Sequence, residues 1–329
     1  MSDRYAVIGN PVAHSKSPRI HAVFAGLTLQ DMTYEAILAP VDGFEPAVRA
    51  FIAAGGRGLN VTVPFKLQAY TLAQTRSPRA EAAKAVNTLA FSAAGIHGDN
   101  TDGVGLVADL RRNLGVPLAG RRVLLLGAGG AARGVLLPLL EQQPALLRLA
   151  NRTADKAHAL QAEFAARAAA CRLEAGGFAE LAGQEFDLVI NATAASLADE
   201  APPLPHGLYA AGSLAYDMVY GRETPFLAAA RAQGAARLAD GLGMLVEQAA
   251  ESFFLWRGRH EGGAFLLALA AARARRPRPA AAGLAGLVLR LGGVVEVRQS
   301  VHHQLHVAAA RRTAREGPAR RAEAAVGAL

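Results

Sequence analysis

The chain has 329 residues, 52% of them hydrophobic and 19% charged, which is enough apolar material for two cores and too little charge for a wholly disordered polymer. A single cysteine, Cys171, excludes an intramolecular disulfide framework and any cysteine-based zinc cluster, and no metal site is expected. The net charge of +8 sits entirely at the end: residues 273–329 carry eleven Arg against three Glu, and residues 1–272 hold 24 basic and 24 acidic side chains, so the body has no net field to draw in a nucleic acid.

No apolar run reaches the eighteen or so residues a membrane helix needs. Met1-Ser2-Asp3-Arg4 lacks the basic-then-apolar start of a signal peptide. A cytoplasmic location with no membrane partner is the expectation.

In chain order, Tyr5–Ile8 reads as a strand and Ser17–Gly26 as a helix with Pro18 in its first turn. Tyr34–Leu38 is strand-like, and Glu45–Ala54 is helical up to Gly55-Gly56. Leu59–Val63 and Val86–Phe91 are β-branched or apolar strands. Asp102 caps an amphipathic helix that ends near Gly115. Arg122–Leu126 is an apolar strand, followed by a glycine-rich turn and a long helix. Leu147–Ala150, Leu188–Ile190 and Ala215–Met218 are further strands. Helical patterning ends near Ala272, and Pro277 and Pro279 break the chain before an Ala/Arg-rich extension. Within that extension Leu284–Leu291 and Val294–Val297 are short apolar pieces. The alternation predicts an α/β fold with mainly parallel sheets.

The strongest local signal is Gly127-Ala128-Gly129-Gly130-Ala131-Ala132, directly after a strand and before a helix. Gly127 suits the tight turn, Gly129 the close approach of backbone to a pyrophosphate, and Ala132 close helix–sheet packing. The free amides of the helix start suit phosphate. The next strand ends Asn151-Arg152-Thr153 with Lys156 beyond, where an NAD site has a carboxylate. Forked arginine donors suit a 2′-phosphate, so NADP(H) is expected over NAD(H).

Residues 1–102 place neutral polar groups at strand ends: His14-Ser15-Lys16-Ser17, Asn60-Val61-Thr62-Val63-Pro64-Phe65-Lys66, Asn87-Thr88, and Asn100-Thr101-Asp102-Gly103. Each alone is an ordinary turn or cap residue. Together, at the ends where open α/β sheets bind ligands, they suit a small polyhydroxylated molecule. Lys66 and Asp102 are the candidates for proton transfer, since reduction of a ketone needs a proton delivered to the developing alkoxide.

These segments, with Asn191-Ala192-Thr193, Tyr216-Asp217-Met218-Val219-Tyr220 and Asp240–Ala249 in the same order, resemble the shikimate dehydrogenase family from about Tyr5 to Ala272. The resemblance implies reversible, NADPH-dependent reduction of 3-dehydroshikimate to shikimate in aromatic amino-acid biosynthesis. It implies two lobes: a substrate domain of residues 1–102 plus 240–272, and a Rossmann-like NADP-binding domain of residues 103–239, with the active-site cleft between them. Residues 273–329 have no counterpart. Ser15 and Ser17 are implied as carboxylate binders, Thr62, Asn87, Asp102 and Gln248 as hydroxyl binders, and Asn60 and Tyr220 as further substrate contacts. Lys66 is implied as the acid/base. The cofactor set is Gly127, Ala128, Gly129, Gly130, Ala131, Asn151, Arg152, Thr153, Lys156 and Thr193, with Met218 and Gly241 lining the nicotinamide. A homodimer is an open assembly. Pro78 and Ala194-Ala195-Ser196 depart from the family pattern. Two alternatives stand beside this reading: a quinate/shikimate dehydrogenase using NAD(H), and a non-catalytic NADP(H)-binding module with a nucleic-acid-binding tail.

Overall fold

The computed structural model describes residues 2–168 and 170–259. The expectations for residues 260–272 and for the basic extension 273–329, including its two apolar pieces, lie outside the described residues.

The first part of the chain runs β1 (Asp3–Gly9), α1 (Ser17–Thr28), β2 (Met32–Leu38), α2 (Phe44–Ala53), β3 (Gly56–Val61), α3 (Lys66–Leu72), β4 (Thr75–Arg76), α4 (Pro78–Ala83), β5 (Thr88–Ser92) and β6 (Gly95–Asp99). Then α5 (Asp102–Ala108) continues into a π-helical turn at Asp109–Asn113. The second part runs β7 (Arg122–Leu126), α6 (Gly130–Leu140), β8 (Leu146–Asn151), α7 (Ala154–Phe164), β9 (Arg172–Gly177), β10 (Phe186–Asn191), β11 (Tyr209–Asp217), α8 (Pro225–Ala232), β12 (Arg237–Asp240) and α9 (Leu242–Arg257).

Two six-stranded sheets result. The first has the order β2-β1-β3-β5-β6-β4 and the second β12-β11-β10-β7-β8-β9. Every pairing in the second sheet is parallel, which its buried, apolar strands permit. The first sheet is mainly parallel too, with one inverted strand. β5 runs antiparallel to both β3 and β6, and it joins β6 through Ser92 and Gly95, which pair directly and leave only a short turn. In each sheet the strand order reverses at one point, between β1 and β3 and between β7 and β10. The ligand crevice of an open sheet lies at the carboxyl ends of such a pair.

Several boundaries move. Val63 lies beyond the end of β3 and is 60% exposed. Asn87 precedes β5, although its carbonyl still accepts from Val61 N at 2.7 Å. Asp102 is not the cap of its helix. Thr101 holds the cap position, and Asp102 is the first helical residue.

One buried cluster joins β7, β8 and β10 to α6 through Leu125, Leu149, Ile190, Val135 and Leu139. A second joins β1 and β3 to α2 through Ile8, Leu59, Val48 and Phe51. Each such side chain contributes roughly 1.5–3 kcal/mol on leaving water. Helix α9 serves both halves. Its Met244 belongs to the core of the second sheet, and its Phe253 packs with Phe24 of α1. Its far end is tied by Trp256 Nε1 donating to Leu89 O at 3.0 Å, and it stops at Gly258.

Helix α5 meets α6 at Gly103. A Cβ there would stand 2.7 Å from the carbonyl oxygen of Gly134 and would run into the ring of Pro138. The first of these is backbone and has little freedom to yield. Gly103→Ala is expected to lose about 1–3 kcal/mol through overpacking, set against under about 1 kcal/mol gained in helix propensity. A urea midpoint equal to wild type would show that the contact relaxes.

Candidate active site

The chemistry-bearing residues of the first sheet are drawn together by backbone hydrogen bonds between strand ends. Asn10 N donates to Val63 O at 3.0 Å, and Thr62 N to Ile8 O at 3.0 Å. These lace the segment after β1, which carries Ser15 and Ser17, to the segment after β3, which carries Thr62 and Lys66. Ser17 is buried at the start of α1, and its N–H donates to Ser15 Oγ at 3.3 Å. Val86 N donates to Lys66 O at 3.0 Å and Asn87 N to Asp99 O at 3.0 Å, so Lys66, Asn87 and the segment leading to Asp102 are neighbours.

Lys66 and Asp102, 36 residues apart, form an ion pair with Nζ 2.6 Å from Oδ2. Their side chains are 32% and 19% exposed. The other carboxylate oxygen, Oδ1, accepts from Asn87 Nδ2 at 2.8 Å. An ammonium held beside a carboxylate and still open to solvent can give a proton to a bound oxyanion and be reprotonated.

Behind this pair lies a buried polar network. Asn87 Nδ2 also lies 3.0 Å from Thr101 Oγ1 and 3.4 Å from Gln248 Oε1. Asn87 Oδ1 accepts from Thr101 N and from Thr88 Oγ1, both at 2.9 Å. Asn60 is buried and committed inward. Its Oδ1 accepts from Tyr34 at 2.7 Å and from His21 Nε2 at 3.1 Å, and its Nδ2 donates to Ser252 Oγ at 2.9 Å. His21 is stacked on Tyr34 with ring centroids 4.2 Å apart. Complete burial pulls its pKa down to about 3, only partly offset by its bond to Asn60, so it is neutral.

Asp99 anchors the loop that carries Asp102. Arg79 grips it in a fork at 2.7 and 2.5 Å and also reaches Glu251 at 2.9 Å. Burial opposes the charge on Asp99, but these donors, with Ser77 and Asn100 N, hold its carboxyl below the usual range.

In the second sheet, Gly127 turns the chain at φ +110°, and a Cβ there would sit 3.0 Å from Ala192 O. That backbone conformation and that space both favour glycine. Gly129, Gly130 and Ala131 are exposed at the start of α6, and Ala128 is half-buried. At the end of β8, Asn151 Nδ2 donates to Thr153 O at 2.9 Å, and Arg152 and Lys156 are exposed with no carboxylate at the strand end. Exposed amides at a helix start with two cations beside the next strand end fit a phosphorylated dinucleotide. Thr193 is fixed by Asn191, with Thr193 Oγ1 to Asn191 Oδ1 at 2.7 Å.

The segment Met218–Tyr220 rests on the buried Asp217, which accepts from Ser196 at 2.7 Å, Thr224 at 2.5 Å and Val219 N at 3.0 Å. Gly241 N donates to Val219 O at 3.1 Å, clamping that segment to the start of α9. Tyr220 is half-buried, which raises its hydroxyl pKa. Beneath, Tyr216 donates to the buried Asp109 at 2.8 Å, and desolvation raises that carboxyl.

The two sets meet through α6. A Cβ on Gly134 would lie 3.9 Å from Asp102 Oδ2, so the Lys66–Asp102 pair stands beside the helix whose first residues form the glycine-rich turn. The supporting residues His21, Tyr34, Ser252, Arg79 and Asp109 are not singled out by sequence. Thr88 and Asp217 stand inside the motifs read above without a role of their own, and Ser252 lies one helical turn beyond Gln248.

Family models agree in three stretches. Residues 7–89 match the shikimate dehydrogenase substrate binding domain, 109–198 the shikimate / quinate 5-dehydrogenase model, and 241–260 the shikimate 5'-dehydrogenase C-terminal domain. A shikimate dehydrogenase (NADP(+)) of Aromatoleum aromaticum is 66% identical over 269 residues, covering 81% of this chain and 96% of that protein. The crystal structure of an Ael1 enzyme from Pseudomonas putida superposes with a TM-score of 0.77 at 50% identity, over 82% of this chain and 98% of the other. Shikimate 5-dehydrogenase from Thermus thermophilus, in complex with NADP(H) and shikimate, gives a TM-score of 0.71 at 33% identity, over 82% and 99%.

His21 links the core of the site to pH. The unfolded chain takes up a proton on this residue near pH 6.5, whereas the folded chain resists until about 3. Its contribution to stability is therefore present above pH 6.5 and lost as pH falls from there toward 3. His21→Gln, which keeps an N–H donor, is expected to flatten the fall of unfolding free energy between pH 6.5 and 4.5 by up to about 1.4 kcal/mol per pH unit. Parallel slopes for the two proteins in urea titrations would contradict this. On the family models and on 66% identity over 269 residues, the chain belongs to the shikimate dehydrogenase family.

Proposed function

We propose that this chain catalyses the reversible reduction of 3-dehydroshikimate to shikimate with NADPH, with Lys66 as the acid and base. The observation that carries the assignment is the Lys66–Asp102 pair at 2.6 Å, set among strand-end hydroxyls and amides beside α6. The bound dinucleotide supplies the hydride. The Lys66 ammonium delivers a proton to the oxygen that gains charge and takes it back in the oxidation direction. Asp102 orients the ammonium and accepts from a ring hydroxyl. Ser15 and Ser17 hold the carboxylate. Thr62, Asn87, Gln248 and Tyr220 complete the substrate set, with Asn60, whose own polar atoms are taken up inside, behind them, and hydrogen bonding matched to each ring hydroxyl sets the discrimination.

Gly127, Ala128, Gly129, Gly130 and Ala131 cradle the pyrophosphate. Asn151, Arg152, Thr153 and Lys156 take the 2′-phosphate end, and Thr193, Met218 and Gly241 border the nicotinamide. Residues 1–102 with 240–272 act as the substrate lobe and 103–239 as the cofactor lobe. The two separate sheets, with α9 packed onto α1, support that division. The enzyme works in the cytoplasm, its body takes no nucleic acid, and a homodimer is the assembly to test by light scattering. Among the described residues no helix is long and apolar enough to cross a membrane.

The direct test is shikimate-dependent reduction of NADP⁺, followed by nicotinamide absorbance with quinate and NAD⁺ in parallel. Turnover with shikimate and NADP⁺ well above the other pairs is expected. Lys66→Ala is expected to lower kcat about a thousandfold while shikimate Kd stays within a few-fold. Near-normal turnover would remove Lys66 from the chemistry. Arg152→Ala is expected to raise KM for NADP⁺ by about 10- to 100-fold, the worth of a charged hydrogen bond, and to leave KM for NAD⁺ unchanged. Equal effects on both cofactors would place Arg152 away from the 2′-phosphate.

A further inference from the structure

We propose that three buried hydroxyls, those of Thr88, Thr101 and Ser252, form a positioning cluster that fixes the amide of Asn87 and, through it, the carboxylate of Asp102 opposite Lys66. The inference rests on the site reading above and adds residues whose hydroxyls bond to the supporting amides and to one another. All three side chains are essentially inaccessible. They come from a strand, a loop and a helix, with Thr88 and Ser252 at 2.8 Å and Thr101 and Ser252 at 3.2 Å.

The direction of the hydrogen bonds can be followed from fixed ends. Asn60 Oδ1 accepts from Tyr34, so the other end of the amide is the donor, and its two protons face Ser252 Oγ at 2.9 Å and Thr88 Oγ1 at 3.2 Å. Ser252 has one proton, and Thr88 Oγ1, its nearest acceptor at 2.8 Å, takes it. Thr88 then directs its proton to Asn87 Oδ1 at 2.9 Å. That oxygen also accepts from Thr101 N, so both donors agree on which way the Asn87 amide points. Its Nδ2 is left facing Asp102 Oδ1 and Thr101 Oγ1. Thr101 passes its own proton on to Gln248 Oε1 at 3.3 Å, bringing α9 into the same arrangement. A reversed Asn87 amide would set its oxygen against the carboxylate, and the hydroxyl cluster removes that alternative.

The test uses the full chain. Thr88→Val keeps the shape and removes the hydroxyl. It is expected to lower kcat for shikimate oxidation about tenfold, the upper worth of one ordinary hydrogen bond, with KM for NADP⁺ unchanged. Thr88→Ser is expected to recover most of the rate. In an Asn87→Ala background Thr88→Val is expected to cost nothing further, because its effect runs through that amide. An undiminished kcat in Thr88→Val, or the same loss in both backgrounds, overturns the proposal. Should Thr88→Val fail to fold, Ser252→Ala takes its place in the same cycle, with the same outcomes deciding. Lys66→Ala assayed alongside separates the two readings. An active Lys66→Ala sinks the site assignment, whereas an inactive one beside a fully active Thr88→Val sinks only the positioning role.

Discussion

The site depends on keeping one carboxylate charged, oriented and only partly solvated. Asp102 is 19% exposed and carries Lys66 on one oxygen and Asn87 on the other. Removing water from an ion pair costs several kcal/mol per charge unless the geometry is good and the remaining lone pairs are used. Asp102 meets that condition because the chain turns into a helix at that residue. The helix start favours a negative charge, and the cap position passes to Thr101, leaving the carboxylate free to face Lys66. The fork of Arg79 on Asp99 holds the approach to this turn, and Val86 N on Lys66 O holds the other partner. The geometry of the Lys66–Asp102 pair is thus set by the first residues of two helices, α3 and α5.

Much of this was legible in the sequence, for a definite reason. Ser15, Thr62, Lys66, Asn87 and Asp102 follow or precede runs of β-branched and apolar residues, so their place at strand ends is a local property. The turn at Gly127 is likewise local, since a strand, a tight turn and a helix start stand in one dozen residues. What was not legible is whatever depends on distant segments. Ser252 looks like an ordinary polar residue on a helix until its hydroxyl is found 2.9 Å from an amide 192 positions earlier. His21 looks like a surface residue of α1 until Tyr34 and Asn60 close over it. Three of the four edge strands, β2 being the exception, escaped for another reason. β4 has two residues, β9 opens on a charged Arg172-Leu173-Glu174 and β12 on an exposed arginine, the polar dress that suits an edge and hides a strand from pattern reading.

Helix α9 explains how two separate cores act on one site. Its Met244 is held by the second sheet, its Phe253 by α1, and Gln248 between them faces Thr101 and Asn87. A displacement of α9 would therefore be felt at both sheets and at the amide cluster together.

The contact between α5 and α6 bears on how the chain can change over evolutionary time. Pro138 sits inside α6 and lacks the amide that would have closed onto the carbonyl of Gly134. Gly103 lies over that carbonyl and over the proline ring, with no side chain of its own. The two residues are departures from ordinary helix composition that fit each other, and each narrows what its neighbour can become. A change at Gly103 would crowd the proline ring, whereas a change at Pro138 would free the ring's space and leave the backbone carbonyl of Gly134 where it is.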